Sequence, residues 1–245
     1  MRHGETFWNT EGRLQGQTDI SLDEEGRKMA VSCGQGMKDV TVDLCISSPL
    51  ARASETAELV LAENSGYAGR CREAMKELQA EWEKKGTDMS ERFCPAGTEQ
   101  VPYFTDDRLK EASFGPWEGL ICKAEGYSVP LEDFSTYWND PESPLIQDGV
   151  ERLTQVAARV KRAVEDIAAC ESLQERTVLL VVHGCVMRSV MYLINGEKEF
   201  RGKVPFNCEI IEADLDRTGH LQELGRKIYY DRSMMHDYYA TMKQE

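Results

Sequence analysis

The sequence is short of several things, and each shortage removes a class of protein. It has no run of some 18 apolar residues, so no membrane-spanning helix is expected. No basic-apolar-small leader opens it, so a cytoplasmic location is expected. Basic residues are outnumbered, 29 against 43 acidic ones, for a formal net charge of −14. Such a chain repels nucleic acid overall, and any site for an anionic substrate must gather its few cations in one place. The eight cysteines (Cys33, Cys45, Cys71, Cys94, Cys122, Cys170, Cys185 and Cys208) form no C-x-x-C pair and no close cluster with histidine. Neither zinc nor another metal is therefore expected, and reduced thiols in apolar runs serve as small hydrophobes. Histidine is scarce too: only His3, His183, His220 and His236 are present.

What remains describes one globular domain over residues 1–245, with no repeat or low-complexity linker dividing it. Ser21 with Glu24 reads as a capping box that starts a helix over Leu22 to Met37. Asp43 to Ser47 is a short apolar strand, and Ser48-Pro49 opens a helix through Ala53, Ala57 and Leu61 that stops near Asn64-Ser65-Gly66. Arg108 to Glu111 reads as the end of another strand. Gly149 to Cys170 has the spacing of an amphipathic helix. Thr177 to Val182 is a continuous apolar run, as in a strand buried on both faces, and a helix over Met187 to Ile194 follows. Ile210 to Leu215, the turn Asp216 to Gly219, and Leu221 to Leu224 make a hairpin. Strands alternating with helices predict an α/β fold with a mainly parallel central sheet, three layers deep. Two stretches stand outside this alternation: residues 67–101, charged and helix-prone over Arg72 to Lys85, and the tail 229–245, rich in Tyr and Met.

His3 and His183 are each followed by glycine, and His183 closes the apolar strand. Ligands bind at the carboxyl ends of strands in open parallel sheets, and a glycine there lets backbone N–H groups approach a phosphate oxygen. A lone histidine at a strand end is ordinarily a hydrogen-bonded structural residue, and that reading is kept for His220 and His236. The surrounding blocks decide for His3 and His183. Arg2-His3-Gly4-Glu5-Thr6 leads to Trp8-Asn9, then Arg13 and Gln15-Gly16. Later come Ser47-Ser48-Pro49-Leu50-Ala51-Arg52-Ala53, Leu109-Lys110-Glu111, Phe114 to Gly119, and His183-Gly184.

In this order the blocks resemble the phosphoglycerate mutase-like histidine phosphatase superfamily, over Arg2 to about Leu215. The resemblance implies a phosphohistidine formed on His3, with Arg2, Asn9, Arg52, His183 and the backbone N–H of Gly184 holding the phosphoryl oxygens. It implies Glu111 as the acid that protonates the departing oxygen and then takes a proton from water. Gln15 and Gly16 fall where the family closes a loop over the substrate. No cofactor is implied, and the partner is a small phosphorylated substrate, with oligomeric state left open. Trp117 reads as packing and Glu118 as a local structural partner.

Mutases of this family follow the acid with Arg and place Tyr three residues after it, whereas this chain reads Glu111-Ala112-Ser113-Phe114. That departure favours hydrolysis over a mutase. The family also enters Arg-His-Gly from an apolar central strand, and here Met1 directly precedes Arg2. The first strand is thus missing from this sequence, which would leave its neighbours in the sheet unpaired and His3 on a freely moving end. The preferred expectation is that Met1 is an internal residue with the strand upstream; the alternatives are another segment filling the gap or a binding-only relative. For 67–101, a solvated helical excursion is set slightly ahead of a cap over the site.

Overall fold

A computed structural model of the chain describes all residues except 88, 91, 123–127, 141–145, 197–203 and 237–245. The sheet holds four strands in the order β2-β3-β1-β4: β1 Leu44–Ser47, β2 Cys94–Gly97, β3 Pro102–Thr105 and β4 Val178–Val181. β1 lies between β3 and β4 and runs parallel to both, while β2 is an antiparallel edge strand. Pro95 sits in that edge strand, where a missing N–H is tolerated. β1 is buried at all four residues. This is the mixed α/β fold with a mainly parallel sheet that the alternation predicts.

Helices α1 (Phe7–Glu11), α2 (Glu24–Gly36), α3 (Ala51–Ala62), α4 (Tyr67–Lys85), α5 (Leu131–Asn139), α6 (Leu153–Ala168) and α7 (Gly184–Asn195) surround it. Ser21 does not cap α2. Asp23 does, its carboxylate accepting from Gly26 N at 2.7 Å, with Glu24 and Glu25 set favourably against the helix dipole. α6 buries Leu153, Val156, Val160, Val164 and Ile167 along one stripe, as its spacing requires. The hairpin is β5 (Ile210–Leu215) with β6 (Leu221–Lys227), a separate two-stranded sheet.

Three expectations need correction. Arg108 is not in a strand, because Asp106 accepts from both the backbone N–H and the guanidinium of Arg108, folding Asp107–Leu109 into a 3₁₀ turn just after β3. β4 is not buried on both faces: Leu179 and Val181 are, whereas Val178 and Leu180 are half-buried. They line an apolar trench of about 820 Å³ between β4 and β5. The segment 67–101 is only partly solvated. α4 sinks Tyr67, Cys71, Ala74 and Leu78 into the core, and Trp82 stacks on Phe93 beside Phe104. Glu81 accepts from Ser172 at 2.8 Å, ahead of β4, so this part of the segment packs at the amino end of that strand. The tail beyond 236 lies outside the described residues.

Candidate active site

Met1 to His3 lie beyond β4 as a short parallel stub. Met1 O accepts from Val182 N at 2.9 Å, and His3 N donates to Val182 O at 2.9 Å. On its other edge Arg2 N donates to Glu209 O, and Cys208 N donates to Arg2 O, each at 3.0 Å. Asn207 Nδ2 donates to His3 O at 2.9 Å and Gly4 O at 3.0 Å. His3 therefore does not hang on a loose end. Both edges of its backbone are bonded, and its side chain is buried.

The ring of His3 is set by one contact. Nδ1 lies 2.6 Å from Gly4 O. A carbonyl only accepts, so Nδ1 carries the proton and Nε2 keeps its lone pair. Burial pushes the imidazole well below its usual pKa, and the guanidinium groups of Arg52 and Arg2 push the same way, against the Gly4 carbonyl. The ring is therefore neutral at pH 7. His183 is the N-cap of α7, which begins at Gly184 rather than Met187, and its ring centroid is 5.2 Å from that of His3. Its Nε2 is 2.7 Å from Ser48 Oγ, which already accepts from Leu50 N at 3.3 Å. The other ring nitrogen, Nδ1, is buried with no hydrogen-bond partner among the described residues. Burial, then Arg52 and His3, hold this imidazole well below its usual pKa as well.

Arg52, in the first turn of α3, is fully buried. Its Nη2 donates to Gly16 O at 2.7 Å and Nη1 to Thr18 O at 3.1 Å, while Nε has no protein partner. Burial lowers its pKa to about 10, with Glu111 and Asp19 opposing, so it remains a cation at neutral pH. The loop that it grips is fixed from outside by Glu118, which accepts from Gln17 N at 3.0 Å, Thr18 N at 2.9 Å and the Thr18 hydroxyl. Gly16 has φ +56°, and a Cβ there would fall 2.1 Å from Glu118 Oε1, so both backbone and space demand glycine. The neighbouring Gln15 Oε1 is buried without a protein partner. Arg2 donates through Nη1 to Pro205 O at 2.6 Å. Asn9 is buried in α1, its Oδ1 accepting from Thr6 N at 3.0 Å, which leaves the amide nitrogen as its donor.

Glu111 is 8 % exposed. Its Oε1 accepts from Ala112 N at 2.9 Å and from Cys185 N at 3.1 Å, tying the carboxylate to the amino end of α7. A Cβ on Gly184 would stand 3.5 Å from Glu111 Oε2. Its backbone is held in turn by Arg159, which donates to Glu111 O at 3.0 Å and pairs with Glu151 at 2.7 Å.

Arg2, His3, Arg52, Glu111, His183 and Gly184 are thus gathered at the carboxyl end of β4, with Gln15 and Gly16 on a loop gripped by Arg52. Asn9 sits six residues past His3, and its closeness to the two imidazoles is not fixed by any hydrogen bond. Sequence reasoning missed the residues that position this group. Ser48 was read as opening a helix, and instead it orients His183. Thr56 Oγ1 accepts from Gly4 N at 2.9 Å. Asn207 and Arg159 gave no signal, since the carbonyls they hold near the site, His3 O and Gly4 O for one and Glu111 O for the other, lie far away in sequence.

The family model for the histidine phosphatase superfamily (branch 1) matches residues 1–96 and 93–224. A metal-independent phosphoserine phosphatase from Arabidopsis thaliana is 32 % identical over 205 residues, covering 83 % of this chain and 70 % of that protein. A probable phosphoglycerate mutase GpmB from Erwinia tasmaniensis is 28 % identical over 229 residues, covering 89 % of this chain and 84 % of that protein. The solved structure of Bacillus stearothermophilus YhfR superposes with a TM-score of 0.65 at 26 % identity, over 91 % of this chain and 92 % of that one.

Proposed function

Because the chain belongs to the histidine phosphatase superfamily, branch 1, we propose that it hydrolyses small phosphomonoesters through a phosphohistidine on His3. The family and the phosphatases among its relatives support a phosphoric monoester hydrolase. The observation that carries the mechanism is the bond between His3 Nδ1 and Gly4 O, which leaves Nε2 as a neutral nucleophile inside a cationic setting.

Nε2 attacks phosphorus in line, the N–P bond forming as the P–O bond to the alcohol breaks. Arg2, Arg52, Asn9 and His183, with the N–H of Gly184, surround the phosphoryl oxygens. A loose transition state needs positioning and compensating charge above all, and these donors supply it without a metal. Glu111 gives its proton to the departing oxygen, then removes one from the water that attacks phosphohistidine and frees inorganic phosphate. Gln15 and Gly16 line the entrance on the loop gripped by Arg52.

The test is hydrolysis of p-nitrophenyl phosphate in EDTA by the chain and by His3→Ala. Activity that persists in chelator and disappears in the variant, with an acid-labile phosphate adduct on the parent protein alone, is expected. Equal rates in both proteins would refute the reading. A second reading, phosphoglycerate mutase, draws on the likeness to GpmB. Against it, Ala112 is wholly buried and Ser113 N donates to Glu151, so the stretch after Glu111 offers no cation to a substrate carboxylate. Interconversion of 3- and 2-phosphoglycerate at a rate comparable to hydrolysis would favour the mutase.

A further inference from the structure

The chemistry above leaves two histidines unused, His220 and His236, and the chain brings His236 to Glu5, two residues after His3. After β6 the backbone returns along the outside of α2. Tyr230 is buried, and the carbonyl oxygen of Tyr229 lies only 2.2 Å from where a Cβ on Gly36 would sit. Asp231 N donates to Ser32 Oγ at 3.3 Å, and His236 Nδ1 stands 2.8 Å from Glu5 Oε2. The segment thus runs from the last residue of α2, past its middle, to the loop in front of it.

Glu5 is an unusual end point for a surface strap. Its side chain is 2 % exposed, against 50 % for His236. Asp23 N donates to Glu5 O at 3.2 Å, and a Cβ on Gly26 would fall 2.0 Å from that same oxygen, so the loop is locked onto the start of α2. The preceding residue, Gly4, supplies the carbonyl that fixes the tautomer of His3. Other charges on α2 are committed elsewhere: Arg27 to Glu55, and Lys28 to Glu24 and Glu25. Burial, Asp23 and Glu25 push the Glu5 carboxyl up, and His236 pulls it down.

We propose that His236 is a positioning residue, pairing with the buried Glu5 carboxylate and thereby holding the Gly4 carbonyl on Nδ1 of His3. The inference rests on the phosphohistidine reading, and it couples the C-terminal strap to the orientation of the nucleophile. Without His236, the carboxyl faces two acidic neighbours and retains a proton to higher pH, and the loop that aims His3 loses the clamp that acts through the Glu5 side chain.

The test is kcat and KM for p-nitrophenyl phosphate across pH for the parent chain, His236→Ala, His236→Gln, Gly36→Ala and His3→Ala. His236→Ala should lower kcat by about 10-fold with KM little changed, as expected of a misaimed reacting group. The acid limb of its kcat profile should move to higher pH. His236→Gln, which still donates a hydrogen bond, should recover much of kcat while the shifted limb remains. Gly36→Ala alters no site residue, yet should reproduce the loss by displacing Tyr229. Parent-like kcat and limb in His236→Ala, or a lower melting temperature with an unmoved limb, would overturn the proposal. Activity in His3→Ala would instead overturn the reading beneath it.

Discussion

Acidification from pH 7 to pH 5 should destabilise this fold through two groups, His3 and His183. In the unfolded chain each imidazole titrates near its ordinary value, about 6.5. Folded, both are held well below it by burial, and then by the guanidinium groups beside them. Below pH 6.5 the unfolded chain therefore binds protons that the folded chain does not. Their contribution is fully retained above that pH and lost as pH falls toward the folded-state values. The titration of the unfolded chain sets the ceiling of the effect, about 2 kcal/mol for each ring over this interval and about 4 kcal/mol for the two together. Their separation of 5.2 Å reinforces this, since a proton on one ring repels a proton on the other. Urea unfolding at both pH values measures the effect, and the double variant His3→Gln, His183→Gln subtracts the acidic residues that titrate in parallel. The loss of stability between the two pH values should be smaller in the variant, by at most about 4 kcal/mol. Identical losses in the two proteins would mean that the imidazoles titrate normally, and the argument for a neutral nucleophile at His3 would fail with them.

Other consequences follow from the same contacts. Arg52→Lys should lower kcat/KM by roughly 100-fold in steady-state assays, because one ammonium cannot replace a fork that reaches both Gly16 O and Thr18 O. Glu111→Gln should slow hydrolysis of an alkyl phosphate by about 10²–10⁴-fold, yet affect p-nitrophenyl phosphate much less, since nitrophenolate leaves without a proton. Equal losses on the two esters would remove Glu111 from the acid role. Glu118→Ala should cost about 2–3 kcal/mol in urea unfolding, as the backbone N–H groups of Gln17 and Thr18 lose a charged acceptor, and should raise KM as their loop loosens.

The parts legible in the sequence were those that depend on local pattern. The stripe of α6, the apolar run of β4 and the hairpin over β5 and β6 each carry their own periodicity. The His-Gly pairs and the Arg52 block were legible only in company, through the order of blocks that resembles the histidine phosphatase superfamily. Boundaries were less legible. α7 was read three residues late, because its first turn serves His183 and Glu111 and shows no helical stripe there. The strand expected at Arg108 gave way to a side-chain interaction, Asp106 with Arg108, that competes with extended backbone. The supporting shell was the least legible part. Asn207, Thr56 and His236 reach the stretch from His3 to Glu5 through hydrogen bonds that span long stretches of sequence, and no local pattern marks them.

The stub that carries the nucleophile also has a consequence for the timing of assembly. What fixes His3 lies far beyond it in the chain. Its backbone awaits Val182, and Asn207 reaches it across 204 positions. Arg2 finds Pro205 across 203, and Glu5 meets His236 across 231. Contacts of such separation carry the heaviest loop-closure cost, and they form after the locally encoded helices. A nascent chain made only as far as residue 180 therefore holds His3 and Arg52 but not the frame that orients His3. The orientation of His3 thus waits on the segment around residues 205–209, and the contact of Glu5 waits on residue 236.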